Sequence, residues 1–111
     1  MTMEKSVFEP GNVFRFSECV DYSAEGIISK RVLDKPVGTV TLFSFDKGQR
    51  LSTHSAPFDA MVQVIEGIAE IIINEVSYSL AAGDTIIMPA GIPHAVNAVE
   101  KFKMVLTMIK G

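Results

Sequence analysis

Residues 83–97 read GDTIIMPAGIPHAVN, and the spacing of turn residues within them decides the fold. Gly83-Asp84 is a tight-turn pair that feeds the apolar run 85–88. Pro89-Ala90-Gly91 forces a second turn within the next few residues. His94 then opens another apolar run, aimed by that turn. A strand of four or five residues bracketed by two such turns belongs to an antiparallel sandwich or barrel.

The same grammar extends in both directions. Residues 27–33 (IISKRVL) are rich in β-branched side chains and end in the turn DKPVG, 34–38. Residues 39–45 (TVTLFSF) form a second strand closed by DKGQ, 46–49. Residues 61–66 run to Gly67, 68–74 follow, and Asn74-Glu75 reads as a hairpin tip before 76–80. Residues 94–99 and 102–109 complete the set. Residues 1–26 are mixed, and no segment carries a sustained helical period. The unbroken Ile71-Ile72-Ile73 suits a strand covered on both faces, by the interior and by a second sheet or subunit. Phe43 and Phe45 alternate into the core; Met61, Met88, Met104 and Met108 are apolar filler. Lys101 and Lys103 read as solvated charges on a sheet edge.

A length of 111 residues implies one domain, with 1–36 as an N-terminal arm and first strand and 37–111 as the barrel. The apolar content is 48% and the mean hydropathy +0.30, which points to some apolar surface covered by a second subunit. A net charge of −3, from 10 basic and 13 acidic residues in no long blocks, excludes the electrostatic footprint of a nucleic-acid binder. No apolar stretch approaches the ~20 residues of a membrane span. The start, MTMEKSVFEPG, lacks the apolar run of a secretory leader. A cytoplasmic location follows as the expectation. The lone Cys19 has no pairing partner and reads as a packing residue.

A second block, LSTHSAPFDAMVQVIEG (51–67), stands upstream of the first. Gly48, His54 and Gly67, taken with Gly83, Pro89, Gly91 and His94, resemble the paired motifs of the cupins, small double-stranded β-helix barrels of the jelly-roll type. Asn97 falls one place early for that pattern. The resemblance implies a divalent transition metal (Zn, Ni, Mn or Fe) held by three histidines and a glutamate. Here the second histidine position is Ala56 and the glutamate position Ala60, and a methyl group cannot coordinate a cation.

Only His54 and His94 remain as metal ligands, one short of the three protein ligands of most catalytic sites. Asp59 is a candidate third ligand, although strand alternation turns it away from the interior. The expected ligand pocket comprises His54, Ala56, Phe58, Ala60, Val62, Val64 and His94. The function these residues imply is capture of a small, largely apolar or weakly acidic molecule, with a metal weakly held or absent. The alternative is a metal-dependent enzyme of the dioxygenase, isomerase or decarboxylase kind. Small cupins commonly form homodimers, so a homodimer is expected, joined through the N-terminal arm or the 27–33 strand.

Overall fold

A computed structural model describes residues 6–110. After a single turn of 3-10 helix at Phe16–Glu18, seven strands follow: β1 (Ile27–Lys35), β2 (Gly38–Phe45), β3 (Arg50–His54), β4 (Asp59–Ile73), β5 (Val76–Ala81), β6 (Thr85–Met88) and β7 (His94–Ile109). All pair antiparallel. The segments 61–66 and 68–74 are one continuous strand, and so are 94–99 and 102–109. β3, which lies in a polar stretch with no alternation to mark it, is the strand that the sequence pattern does not reveal.

β4 and β7 are long because each serves two sheets. Residues 59–67 of β4 pair with 102–109 of β7, and residues 69–73 pair with 94–98. The first half of β4 and the second half of β7 build the sheet β1-β2-β7-β4-β6. The second half of β4 and the first half of β7 build β3-β7-β4-β5. The pairing register shifts on both sides of Gly67, which adopts φ +80°. A Cβ there would lie 1.9 Å from the carbonyl oxygen of Lys101. The glycine is therefore a hinge that lets both strands fold over on themselves without ending.

The two sheets enclose a core that includes Phe45, Val62, Val64, Ala69, Ile71, Val96, Phe102 and Met104. Phe45 stacks on Phe102 at 4.6 Å between ring centroids. Met88 and Met104 are buried here, and Phe43 packs against the same cluster. Ile71 is fully buried and Ile73 packs against the same core, whereas Ile72, on the opposite face, is only half-buried, because among the described elements none packs a second sheet over the outer face of β4.

A second core lies on the outer face of the larger sheet, where the N-terminal arm folds back. Val20, 1% exposed, meets Leu42 and Val105, with Phe8, Phe16 and Cys19 around them. Burial of a side chain such as Val20 contributes roughly 1.5–3 kcal/mol. Three sheet side chains hold the arm by alternate carbonyls. Lys103 Nζ donates to Ser17 at 2.6 Å, Lys30 Nζ to Cys19 at 2.7 Å, and Ser44 Oγ to Asp21 at 2.8 Å.

Lys103 is thus not an edge charge. It sits on a central strand, 7% exposed, with its Nζ 3.5 Å from Glu66 Oε2 and 5.0 Å from the centre of the Tyr22 ring. Lys101 is exposed and covers the same ring at 4.8 Å. Tyr22 donates to Glu66, and burial together with that carboxylate pushes its phenol well above the ordinary range. The arm thus covers the outer face of the chain's own sheet.

Two substitutions test this account. Gly67→Ala should lower stability by at least ~3 kcal/mol, since a positive-φ penalty adds to a backbone clash. Glu75, at φ +68° in the β4–β5 turn, is the opposite case, and Glu75→Gly should raise stability by about 1 kcal/mol. Chemical denaturation of both variants measures the two effects.

Candidate functional site

Strand pairing itself assembles the two histidines. His54 ends β3 and His94 begins β7, and their Cα atoms are direct cross-strand partners. The Pro89–Pro93 turn that delivers His94 is pinned at both ends. Gly91 N–H donates to the Ala56 carbonyl at 2.7 Å and Asn74 N–H to the Pro93 carbonyl at 2.9 Å. His94 shares its face of β7 with Val96 and Ala98, both core residues, and pairs with Ile73 across the sheet. It is 6% exposed, whereas His54 is exposed at the rim.

The imidazoles meet edge to face, with ring centroids 4.4 Å apart and Nε2 atoms 3.2 Å apart. His54 Nδ1 lies 2.9 Å from the Ser52 carbonyl and His94 Nδ1 3.3 Å from the Ile92 carbonyl. A carbonyl oxygen only accepts, so the 2.9 Å contact places the His54 N–H on Nδ1 and leaves its Nε2 to accept; His94 can donate either from Nδ1 to the Ile92 carbonyl or from Nε2 to His54. In the first of these tautomers both Nε2 lone pairs converge on one point. Burial pushes the His94 imidazole below its ordinary value; the neighbouring His54 adds to the depression, and the Ile92 carbonyl opposes it. With the His94 proton on Nδ1, the pair presents two nitrogen lone pairs with no N–H between the rings.

Two imidazole nitrogens on one tetrahedral zinc lie about 3.3–3.4 Å apart, given bonds of about 2.0–2.1 Å. The observed separation therefore fits a shared cation. The donor count does not. Among the described residues no group of three or more His, Cys, Asp or Glu could hold a metal ion. Asp59 is engaged elsewhere: its Oδ1 accepts the Ala90 N–H at 2.8 Å and so buttresses the turn before His94. Its alternation with buried Ala60 puts it on the outer face, and Gln63 is likewise exposed.

The other expected pocket residues are packed rather than open. Ala60, Val62 and Val64 are 4%, 0% and 1% exposed and belong to the main core. Ala56 and Phe58 are half-buried. Facing rings such as Phe45 and Phe102 fill the interior that sequence alone leaves empty. The space near the histidines is lined differently. A recess of about 480 Å³ is bounded by Thr53, Ile72, Asn74, Glu75, Pro93 and the strand start at His94-Ala95. Ile72 pairs with Ala95, so outward-facing residues of β4 and β7 form much of its wall beside the strand start at His94. Alternation marks Ile72 and Ala95 as outward residues, but no sequence signal announces a concavity there.

Asn97 also faces outward. Its Nδ2 donates to Glu70 Oε1 at 2.8 Å, while Ser77 Oγ donates to Oε2 at 2.6 Å. The Ser77 hydroxyl first, then Asn97, hold the Glu70 carboxyl below its usual value. This triad ties β5, β4 and β7 together and stands apart from the histidines.

The barrel topology agrees with comparisons to known proteins. The cupin domain family matches residues 41–110, and the chain belongs to that family. A conserved protein of unknown function from Streptococcus pyogenes is 42% identical, with 93% of this chain and 90% of that one covered and a TM-score of 0.88. A cupin 2 conserved barrel domain protein from Leptotrichia buccalis is 38% identical, with a TM-score of 0.85; the match covers 87% of this chain but 47% of that one. Salicylate 1,2-dioxygenase from Pseudoaminobacter salicylatoxidans shares the fold at 19% identity and a TM-score of 0.71 over 78% of this chain and 27% of that one. No curated protein matches the chain by sequence.

The His94 shift has a signed consequence for pH. A histidine whose folded pKa lies below its ordinary 6.5 binds fewer protons folded than unfolded. Its stabilising effect is complete above that value and declines as pH falls through it. The melting temperature should therefore drop between pH 7.5 and 5, and His94→Gln should flatten that part of the profile. Asp46, held low by the N–H groups of Glu25 and Lys47, and Glu70 should contribute only at more acid pH.

Proposed function

We propose that this cupin barrel is a small-molecule binding module whose recognition element is the His54–His94 pair. The observation that carries the reading is the convergence of the two Nε2 atoms, 3.2 Å apart, beside an apolar interior. A weakly acidic O–H or N–H group can donate to either nitrogen, or surrender its proton to be shared between them. Ile73, Leu51 and Val96 around the pair suit an apolar body behind such a group. His94, nearly buried, sets the orientation, and exposed His54 offers the entry side.

The nitrogen separation supports a second reading, in which a divalent metal (Zn, Ni, Mn or Fe) bridges the pair and serves an enzyme. Two nitrogens hold a transition metal less firmly than the three protein ligands of catalytic zinc, so any such metal would be shared with the buffer. The binding-module reading needs no step through it.

Metal titration followed by desalting separates the two readings. The expected result is well under a full equivalent of Zn, Ni, Mn or Fe retained, with the melting temperature raised by weak acids in the wild type and not in His54→Ala. Metal-dependent turnover by a stoichiometrically loaded protein would sink the binding-module reading. A designed gain checks the register of the first motif. Ala56→His with Ala60→Glu should retain a full equivalent of metal. Because an unpaired carboxylate at a buried site costs several kcal/mol, the metal-free double variant should melt lower and recover on metal addition.

A further inference from the structure

The recess beside the strand start at His94 has an apolar floor and a polar rim. Ala95 is buried and Ile72 half-buried, and the two are cross-strand partners on β7 and β4. Around them stand Thr53, Asn74, Glu75 and Pro93, all exposed. The volume of about 480 Å³ lies within the range of small-molecule sites. No lysine or arginine lines it, and burial pushes the imidazole of His94 toward its neutral form. The one charge on the rim is the Glu75 carboxylate.

Glu75 holds that carboxylate there against its own backbone preference. Asn74 and Glu75 adopt φ +49° and +68°, the geometry of a two-residue hairpin loop whose second place favours glycine. Asparagine tolerates the left-handed region through its short polar side chain, a compensation that glutamate lacks. Strained positions of this kind cluster at ligand sites. The contrast with Glu70, two positions before Ile72 on the same face of β4, is direct. Ser77 and Asn97 both donate to Glu70, whereas Glu75 forms no ion pair with any described residue. Arg50, the cross-strand partner of Asn97, lies outside the recess lining.

We propose that this recess is a second ligand site and that it takes a small organic cation, a primary ammonium on a short apolar stem. Glu75 supplies the counter-charge. An ammonium group carries three N–H donors, and the Thr53 hydroxyl and the Asn74 side-chain carbonyl are the further acceptors on the rim. The stem covers Ile72, Ala95 and Pro93. An anion would meet the Glu75 carboxylate with no lining cation to offset it, and the net charge of −3 acts in the same direction. A neutral alcohol of the same shape gains nothing from that charge. An exposed ion pair contributes little, so the dissociation constant should be on the order of 1 mM. This site requires no particular ligand at the imidazole pair, and the two readings stand or fall separately.

Titration of the full chain with n-butylammonium chloride at constant ionic strength, followed through the backbone amide signals by NMR, tests the assignment. The amides of Asn74, Glu75 and Ala95 should shift and saturate with a dissociation constant of ~1 mM, and n-butanol should leave them in place. Glu75→Gln should weaken binding at least about fivefold. Glu75→Gly should weaken it as much while melting higher than the wild type, since the variant relieves the strain and removes the carboxylate together. No shift up to ~50 mM, equal binding of n-butanol, or undiminished binding in either Glu75 variant would each overturn the proposal. Shifts centred on Ser52 and His54 would put the amine at the imidazole pair and overturn it equally.

Discussion

The structure depends on the close backbone approach between Gly67 and Lys101. There β4 and β7 pass from one sheet into the other, and a carbonyl oxygen occupies the space where any side chain on residue 67 would begin. Without that contact the two strands would run straight and a single open sheet would result. With it, each strand contributes to both walls, and the core forms between halves of the same two segments. Every remaining strand needs only to pair with a strand already in place.

The site inherits its geometry from this arrangement. β7 begins at His94 because the Pro89–Pro93 turn ends there, and β3 runs beside it as a short antiparallel partner. Two histidines forty residues apart in sequence are thereby placed opposite one another. Alanine at 56 and 60 then determines what kind of site results. A complete ligand set would make the interior polar, whereas Ala60 instead joins Val62 and Val64 in close packing. The ionic part of the site shrinks to two nitrogens at the rim, one buried and one exposed. Asp59, the carboxylate nearest in sequence, serves the turn and not the histidines.

Local signals carried most of this architecture. Turn glycines and prolines marked strand ends, alternation separated Ala60 from Asp59 and Gln63, and the spacing of Gly83, Pro89, Gly91 and His94 pointed to the family. What escaped the sequence depends on distant partners. β3 is polar because most of one face looks to solvent, so only its pairing with β7 defines it. Lys103 looked like a solvated charge, yet Ser17, Glu66 and Tyr22, from two other segments, surround it. The volume of the interior was likewise illegible, because Phe45 and Phe102 fill it only once β2 and β7 lie side by side.

The arm's attachment has a different kind of consequence. Its three polar anchors are the carbonyls of Ser17, Cys19 and Asp21, groups that every residue type supplies. The sheet therefore recognises the course of the arm's main chain, not the chemistry of those side chains. Mutational tolerance should be high at 17 and 21 and low at Val20, which packs with Phe8, Phe16 and Cys19 against the face below. A segment held this way can drift in sequence while its path stays fixed, and it gives the barrel an outer wall that is free to acquire new surface chemistry.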